Sequence, residues 1–291
     1  MNGYRSESAA FDVVVVGAGH AGCEAALAAA RAGCATLVLT TNLDRVGFMP
    51  CNPSIGGPGK SHLVAEVDAL GGEMGRAADR AALQVRLLNT SKGPAVQAVR
   101  AQEDKGLYAL AMKEALEAQA GLQLCQDEVR DILLAPGADG RPRVTGVATR
   151  SRGRIHARTV IITAGTFLRG SLIAGESRHK GGRAGDDADT ALAGSLSDIG
   201  FHLRRLKTGT PPRVDARTVD VSECEVQAGS ETPLWLSRDG ALGRIEPLVL
   251  PPLALHRSTH SPWRPQIACY RTATTTAAHD LIRENLDRAP I

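Results

Sequence analysis

Hydrophobic positions cluster most densely in Phe11–Val16, where Val13–Val16 run straight into Gly17-Ala18-Gly19-His20-Ala21-Gly22. A short β-branched run that ends in glycines predicts a strand buried on both faces. The alanine-rich segment Ala25–Ala32 predicts a helix closed by Gly33, and Ala35–Thr40 a second strand. Within Gly47–Gly72, the Pro- and Gly-rich stretch Pro50–Gly59 predicts an ordered loop and Ser61–Leu70 a helix. Beyond the loop at Asn89–Pro94, Val96 to about Ala118 shows helical periodicity, with Leu107, Leu110, Ala111, Ala115 and Leu116 on one face. Leu122–Val129 reads as a short strand leading to Arg130–Leu134. Arg143–Thr149 and Arg154–Ala157 then alternate as a hairpin, and the apolar strand Val160–Thr163 stops at Ala164-Gly165-Thr166. Gly170–Gly185 predicts a long loop, Ala188–Ile199 a helix stopped by Gly200, and His279–Leu286 a short helix. Arg204–Val214 cannot be one regular element, because Pro211 and Pro212 interrupt it. Glu225–Ile267 carries little pattern.

Strand, G-x-G-x-x-G and helix in this order is the arrangement that binds a dinucleotide. Gly17 allows the tight turn, Gly19 lets a pyrophosphate approach the backbone, and Gly22 lets helix and strand pack closely. The helix start offers N–H donors and a positive dipole end to the phosphates. An acidic residue is the usual ribose ligand after the second strand; Thr40, Thr41 and Asn42 stand there instead. Gly59-Lys60-Ser61 does not make a P-loop, because Ser54 occupies the position of its first glycine and no buried strand precedes it.

Composition narrows the class further. The 291 residues suffice for one large or two ordinary domains, and 43% hydrophobic with 22% charged residues is the balance of a globular protein. A formal net charge of +3 does not by itself argue for a nucleic-acid partner. The six cysteines form no C-x-x-C pair, which argues against a zinc site and a disulfide scaffold. His256 and His260 lack neighbouring carboxylates or thiols, so a metal site there is not expected. Met1–Ala10 has no apolar core of a signal peptide, and no apolar run nears the roughly 20 residues of a membrane span. The expectation is a cytoplasmic, reduced protein.

Several long motifs carry a resemblance: GAGHAGCEAALAAAR, PCNPSIGGPGKSHLVAEVDALGG, LNTSKGPAVQAVRAQ, AGTFLRG, GGRAGD, RRLKTGTPPRVDART and HDLIRENLDRAP. Across nearly all of Phe11–Pro290 the chain resembles the MnmG (GidA) family, the flavoprotein subunit of the tRNA uridine 5-carboxymethylaminomethyl modification enzyme. His20 within the glycine turn favours this family over the related folate-dependent tRNA methyltransferases. The implied fold is α/β, a Rossmann-like FAD-binding two-dinucleotide fold with a β-meander and the start of an inserted second domain. The implied boundaries are residues 9–206 for the first part of the FAD-binding domain and 207–291 for the start of a NAD-binding-like or substrate domain. Family members are about twice this length, so the chain is expected to be an N-terminal half that stops before a second cysteine motif.

The resemblance implies formation of 5-carboxymethylaminomethyluridine at the tRNA wobble position. It implies FAD, NADH as reductant, methylenetetrahydrofolate as one-carbon donor, and the GTPase MnmE as partner. A homodimer, and a heterotetramer with MnmE, is implied for the full-length form. Gly17, Ala18, Gly19, His20, Ala21 and Gly22 match the pyrophosphate turn, and Val129 matches a flavin-contacting valine. Cys51 matches the family cysteine in C-N-P-x-I-G-G. Its place among turn residues, before a helix and near Lys60, favours a reactive thiol, as nucleophile or as proton donor. Cys269 matches a different segment and is not the second catalytic cysteine, while Cys23 and Cys34 read as packing residues. Lys92, Arg100, Lys207 and Arg213 are candidates for phosphate contact. Asp187-Ala188-Asp189 departs from the family at a flavin contact, and 227–265 matches poorly. Two other readings stand beside this one: a truncated, non-catalytic FAD-binding fragment, and a flavin- or NAD-dependent oxidoreductase of a small molecule.

Overall fold

The computed structural model describes residues 10–247, 258–259 and 263–288. His256 and His260 lie outside the described residues. Strand β1 (Phe11–Val16) turns into helix α1 (His20–Arg31), which returns the chain to β2 (Thr36–Thr40), parallel to β1. The valines of β1 feed two cores. Val13 and Val15 pack with Ala26, Leu27 and Val38 on one face, and Val14 and Val16 with Leu37, Leu39 and Leu192 on the other. Burial on both faces is why this strand needs no polar alternation.

Helix α1 begins five residues earlier than the alanine run suggests, because Gly19 holds the extended conformation from which the helix starts. Gly33, with φ of +86°, closes it as expected. The loop after β2 contains a short strand, β3 (Ser54–Gly56), before α2 (Ser61–Ala69) and α3 (Met74–Ala81). Strands β4 (Ala82–Leu88) and β5 (Ala98–Glu103) join β3 in an antiparallel sheet of order β3-β5-β4.

Strand β5 corrects the helix expected from Val96. The helix, α4 (Lys105–Ala118), starts only after Asp104, whose carboxylate accepts from Leu107 N at 2.9 Å. Its inward face is Tyr108, Ala111, Met112 and Leu116, with Leu110 47% exposed. Asp104 therefore sets both the start and the phase of this helix.

Strand β6 (Leu122–Gln126) pairs with β2 in parallel, and β7 (Val129–Pro136), β8 (Pro142–Thr149) and β9 (Gly153–Ile162) form the antiparallel meander. The apolar residues Val160–Ile162 continue β9 rather than forming a separate strand, and β9 closes against β1 in parallel. The completed sheet has the order β6-β2-β1-β9-β8-β7. Gly170–Gly185 is no plain loop: β10 (Ser171–Ala174) and β11 (Ser177–Lys180) make a hairpin around Gly175, whose φ is +57°. Helix α5 (Ala191–Ile199) covers the meander and ends at Gly200 with φ of +107°. The following 204–214 has no regular element, as its prolines dictate.

Further along are β12 (Glu225–Gln227), α6 (Arg238–Ala241), β13 (Ser258–Thr259), β14 (Gln266–Ile267), β15 (Cys269–Arg271) and α7 (Thr276–Arg283). This part is tied to α3 and β4 by buried polar groups. Asp79 accepts from Leu236 N, Ser237 N and Ser237 Oγ at 2.9, 2.9 and 2.6 Å, and Gln266 Oε1 accepts from Val85 N at 2.8 Å. Among the described residues, no helix is long and apolar enough to cross a membrane.

Candidate functional site

Each glycine of the first turn meets a different constraint. Gly17 has φ of +100°, and a Cβ there would lie 2.7 Å from Thr163 O. A Cβ on Gly22 would lie 1.9 Å from Gly17 O, so this glycine is what lets α1 pack against the turn. A Cβ on Gly19 would meet nothing within 4 Å, which leaves its open side for an incoming group. Thr163 pins the turn from the neighbouring strand end: its hydroxyl donates to Val16 O at 2.8 Å and to Gly17 O at 3.1 Å. No side chain caps α1, and no acidic residue lies in its first turn. Its leading N–H groups and positive end thus suit an anion. Ala18 is buried, while Gly19 and Ala21 are exposed. This cradle fits the pyrophosphate of FAD.

The side chain of His20 turns inward instead. Its ring centroid is 5.5 Å from that of Tyr108, Nε2 has no hydrogen-bond partner, and burial lowers its pKa, which keeps the ring neutral. Any part His20 has in the cradle is therefore through its main chain.

At the end of β2, Thr40 O accepts from Asp127 N at 2.9 Å, which sets the start of β7 beside this strand end. Val129 is 3% exposed and pairs with Thr149. Asn42 Oδ1 is engaged with Asp44 N at 2.8 Å. The second strand thus ends in uncharged polar groups.

The loop carrying Cys51 is fastened to the glycine turn, since Gly47 donates its N–H to Ala18 O at 2.9 Å. The half-buried Cys51 thiol donates to Gly209 O at 2.9 Å, and the Arg213 guanidinium donates to the Cys51 carbonyl. Those two bonds bring the irregular Thr-Gly-Thr-Pro-Pro-Arg segment onto the loop across more than 150 residues of sequence. Beside Cys51, Phe48 is ringed by cations: Arg45 Cζ, Lys105 Nζ and Arg183 Cζ lie 4.6, 4.9 and 5.2 Å from its centroid. Burial, then Arg213 and Arg45, push the Lys105 pKa down, while Cys51 acts the other way. Arg183 also sits 5.3 Å over Phe167 and pairs with Asp186.

Of the cations singled out in the sequence, Arg213 meets Cys51 directly, and Arg100 lies opposite Gly56 on β5 with its Nε buried and unpartnered. Lys92 sits at the exposed tip between β4 and β5, and Lys207 in the exposed segment before Gly209. Arg45, Lys105 and Arg183 were not singled out. Only the GGRAGD motif, which contains Arg183, offered a signal for any of them. Cys23 is fully buried, and burial pushes its thiol up to about 12, which fits a packing role. Cys269 lies in β15 opposite Gln227. Asp189 accepts from Leu192 N at 2.9 Å, an α5-capping role. Among the described residues, no group of three or more His, Cys, Asp or Glu could hold a metal ion.

A parallel sheet entered through a glycine turn and closed by an antiparallel meander defines an α/β protein with the Rossmann-like fold of FAD-binding proteins. The family model of glucose inhibited division protein A (GIDA) matches residues 12–291, and the chain belongs to that family. It is 52% identical over 299 residues to the tRNA uridine 5-carboxymethylaminomethyl modification enzyme MnmG of Roseiflexus castenholzii, covering 97% of this chain and 44% of the relative. The MnmG of Geobacter sulfurreducens is 48% identical over 281 residues, covering 97% of this chain and 41% of the relative. A solved structure of Aquifex aeolicus GidA superposes with a TM-score of 0.83 at 42% identity, covering 96% of this chain and 44% of that one. The chain thus spans less than half the length of the relatives it matches.

Proposed function

We propose that this chain is the flavin-binding portion of a tRNA-modifying enzyme that forms 5-carboxymethylaminomethyluridine at the wobble position. The observation that carries the reading is the bond from Gly47 N to Ala18 O, which holds the Cys51 loop against the dinucleotide turn. A thiol beside a flavin suits chemistry at a uracil ring, whose 5-carbon is a poor nucleophile until the adjacent 6-carbon is attacked.

Gly17–Gly22 hold the pyrophosphate of FAD through main-chain N–H groups and the start of α1, and Val129 faces the adenine end through its backbone. When bound, FAD supplies hydride transfer, with NADH as reductant. Cys51 is the group that meets the pyrimidine, as nucleophile at its 6-carbon or as proton donor. Gly209 O, which accepts from the thiol, aims Sγ, and Arg213 fixes the loop that carries it. Methylenetetrahydrofolate supplies the carbon, and a GTPase of the MnmE type assembles with a homodimer of the complete protein. The span of less than half the relatives' length favours a second reading, in which these residues bind FAD while turnover needs residues beyond them.

The test pairs flavin binding with modification. Wild-type chain and Cys51→Ser are titrated with FAD, then supplied with tRNA, the GTPase, NADH, methylenetetrahydrofolate and glycine. The expected result is equal flavin binding by both and no modified uridine with the variant. Flavin binding by the wild type without modification selects the second reading. A wild type that takes up no FAD, or a variant that modifies normally, overturns the proposal.

A further inference from the structure

The ring of Phe48 gathers three cations that are distant in sequence. Arg45 comes from the loop after β2, Lys105 from the first turn of α4, and Arg183 from the segment after β11, with centroid distances of 4.6, 4.9 and 5.2 Å. Arg213 stands next to them through its bond to the Cys51 carbonyl. Of these four cations, Arg183 is paired with the carboxylate of Asp186, whereas Arg45, Lys105 and Arg213 have no carboxylate partner among the described residues. Asp44, the acidic neighbour of Arg45, faces Lys113 at 3.7 Å instead. The depressed Lys105 pKa reports the same crowding, with burial acting first and then Arg213 and Arg45. Like charges held this close raise the energy of the free protein, and an anion seated among them relieves it.

We infer that Arg45 and Lys105 on the ring of Phe48, together with Arg213 at the Cys51 carbonyl, grip a phosphodiester of the RNA strand whose pyrimidine is presented to Cys51. The inference rests on the tRNA reading above. A nucleotide cannot bring its base to Cys51 without bringing its flanking phosphates, and this cluster lies three residues from that thiol along the loop. Phe48 acts as a positioning residue: its ring face holds the cationic side chains without itself carrying a charge or meeting the phosphate. Phosphate contacts of this kind set register and carry the salt dependence of binding, whereas base contacts carry identity.

The test uses the chain with FAD present and a fluorescent anticodon stem-loop bearing a wobble uridine, read by anisotropy across a salt series. Arg45→Ala with Lys105→Ala should weaken binding about tenfold near 0.15 M salt and lower the salt slope by about 1.4, the single-strand value for two lost contacts. Phe48→Leu should weaken binding about threefold to tenfold with the slope unchanged, since no charge is removed. Flavin affinity should stay at the wild-type value in all variants. A double variant that binds RNA with wild-type affinity and slope overturns this inference alone. A Phe48→Leu that changes the slope as the double variant does overturns the positioning role. Changed flavin affinity with unchanged RNA binding assigns the cluster to the dinucleotide phosphates instead and overturns it too. A wild-type chain that binds no RNA overturns the tRNA reading itself.

Discussion

Gly19→Ala isolates the part of the glycine turn that exists for a ligand. In the protein alone, the substitution is nearly neutral. Gly19 has φ of −74°, which alanine adopts freely, and its added Cβ would meet nothing within 4 Å. Removing glycine from the unfolded chain stabilises by about 0.4–1 kcal/mol. Alanine is a poorer N-cap than glycine by several tenths to about 1 kcal/mol, which offsets that gain. The expected net change is within about 0.5 kcal/mol. With a dinucleotide present, the same methyl group stands where the pyrophosphate must approach. Losing two charge-assisted N–H contacts, at about 1.5–3 kcal/mol each, weakens FAD binding by at least about a hundredfold. Gly22→Ala provides the contrast, because its Cβ would lie 1.9 Å from Gly17 O, where ordinary contact begins at 3.4 Å. Helix α1 would have to move about 1.5 Å off the turn, at a cost above the usual 1–3 kcal/mol of overpacking. The assay is a thermal melt without FAD, followed by FAD titration of tryptophan fluorescence. A Gly19→Ala protein that melts like wild type and binds FAD within threefold of it would refute the reasoning, since the dinucleotide would then not cross Gly19.

Two stability predictions follow from the buried polar groups. Glu103 is 2% exposed, neither carboxylate oxygen has a hydrogen-bond partner, and burial raises its pKa well above 4.5. With the folded pKa above the unfolded one, the unfolded state binds fewer protons, so stability falls as pH rises above about 4.5, by up to about 1.4 kcal/mol per unit. Glu103→Gln should flatten that decline in urea melts between pH 5 and 8 and match wild type near pH 4; an unchanged pH slope refutes it. Asp79→Ala leaves Leu236 N, Ser237 N and Ser237 Oγ without their shared acceptor. It should lower stability by about 3 kcal/mol or more and increase proteolysis between 230 and 245, whereas a wild-type melt and cleavage pattern would refute it.

The central strand was legible because Val13–Val16 must be buried on both sides, whatever packs there. The meander was legible for a similar local reason, as its alternation and turn residues lie side by side in the chain. Where periodicity misled, a single polar residue decided. Asp104 stops β5 and caps α4, and a hydrophobic pattern read through it starts the helix several residues early and puts Leu110 on the inner face, where the structure leaves it exposed. The site behaves differently from the fold. Cys51 is legible through a motif and Arg213 as a candidate phosphate contact, but Arg45, Lys105 and Arg183 each look like a solvated surface cation when read singly. Nothing in the local pattern marks Phe48. Their meaning lies in one relation that the chain cannot express locally. Gly47 bonds Ala18, which seats the loop on the dinucleotide turn, and Gly209 and Arg213 then close over Cys51 from a segment with no regular structure. An irregular segment is suited to that task, because a helix or strand would spend its carbonyls and N–H groups on itself. The prolines that made Arg204–Val214 unreadable as an element are thus what keep Gly209 O available to the thiol.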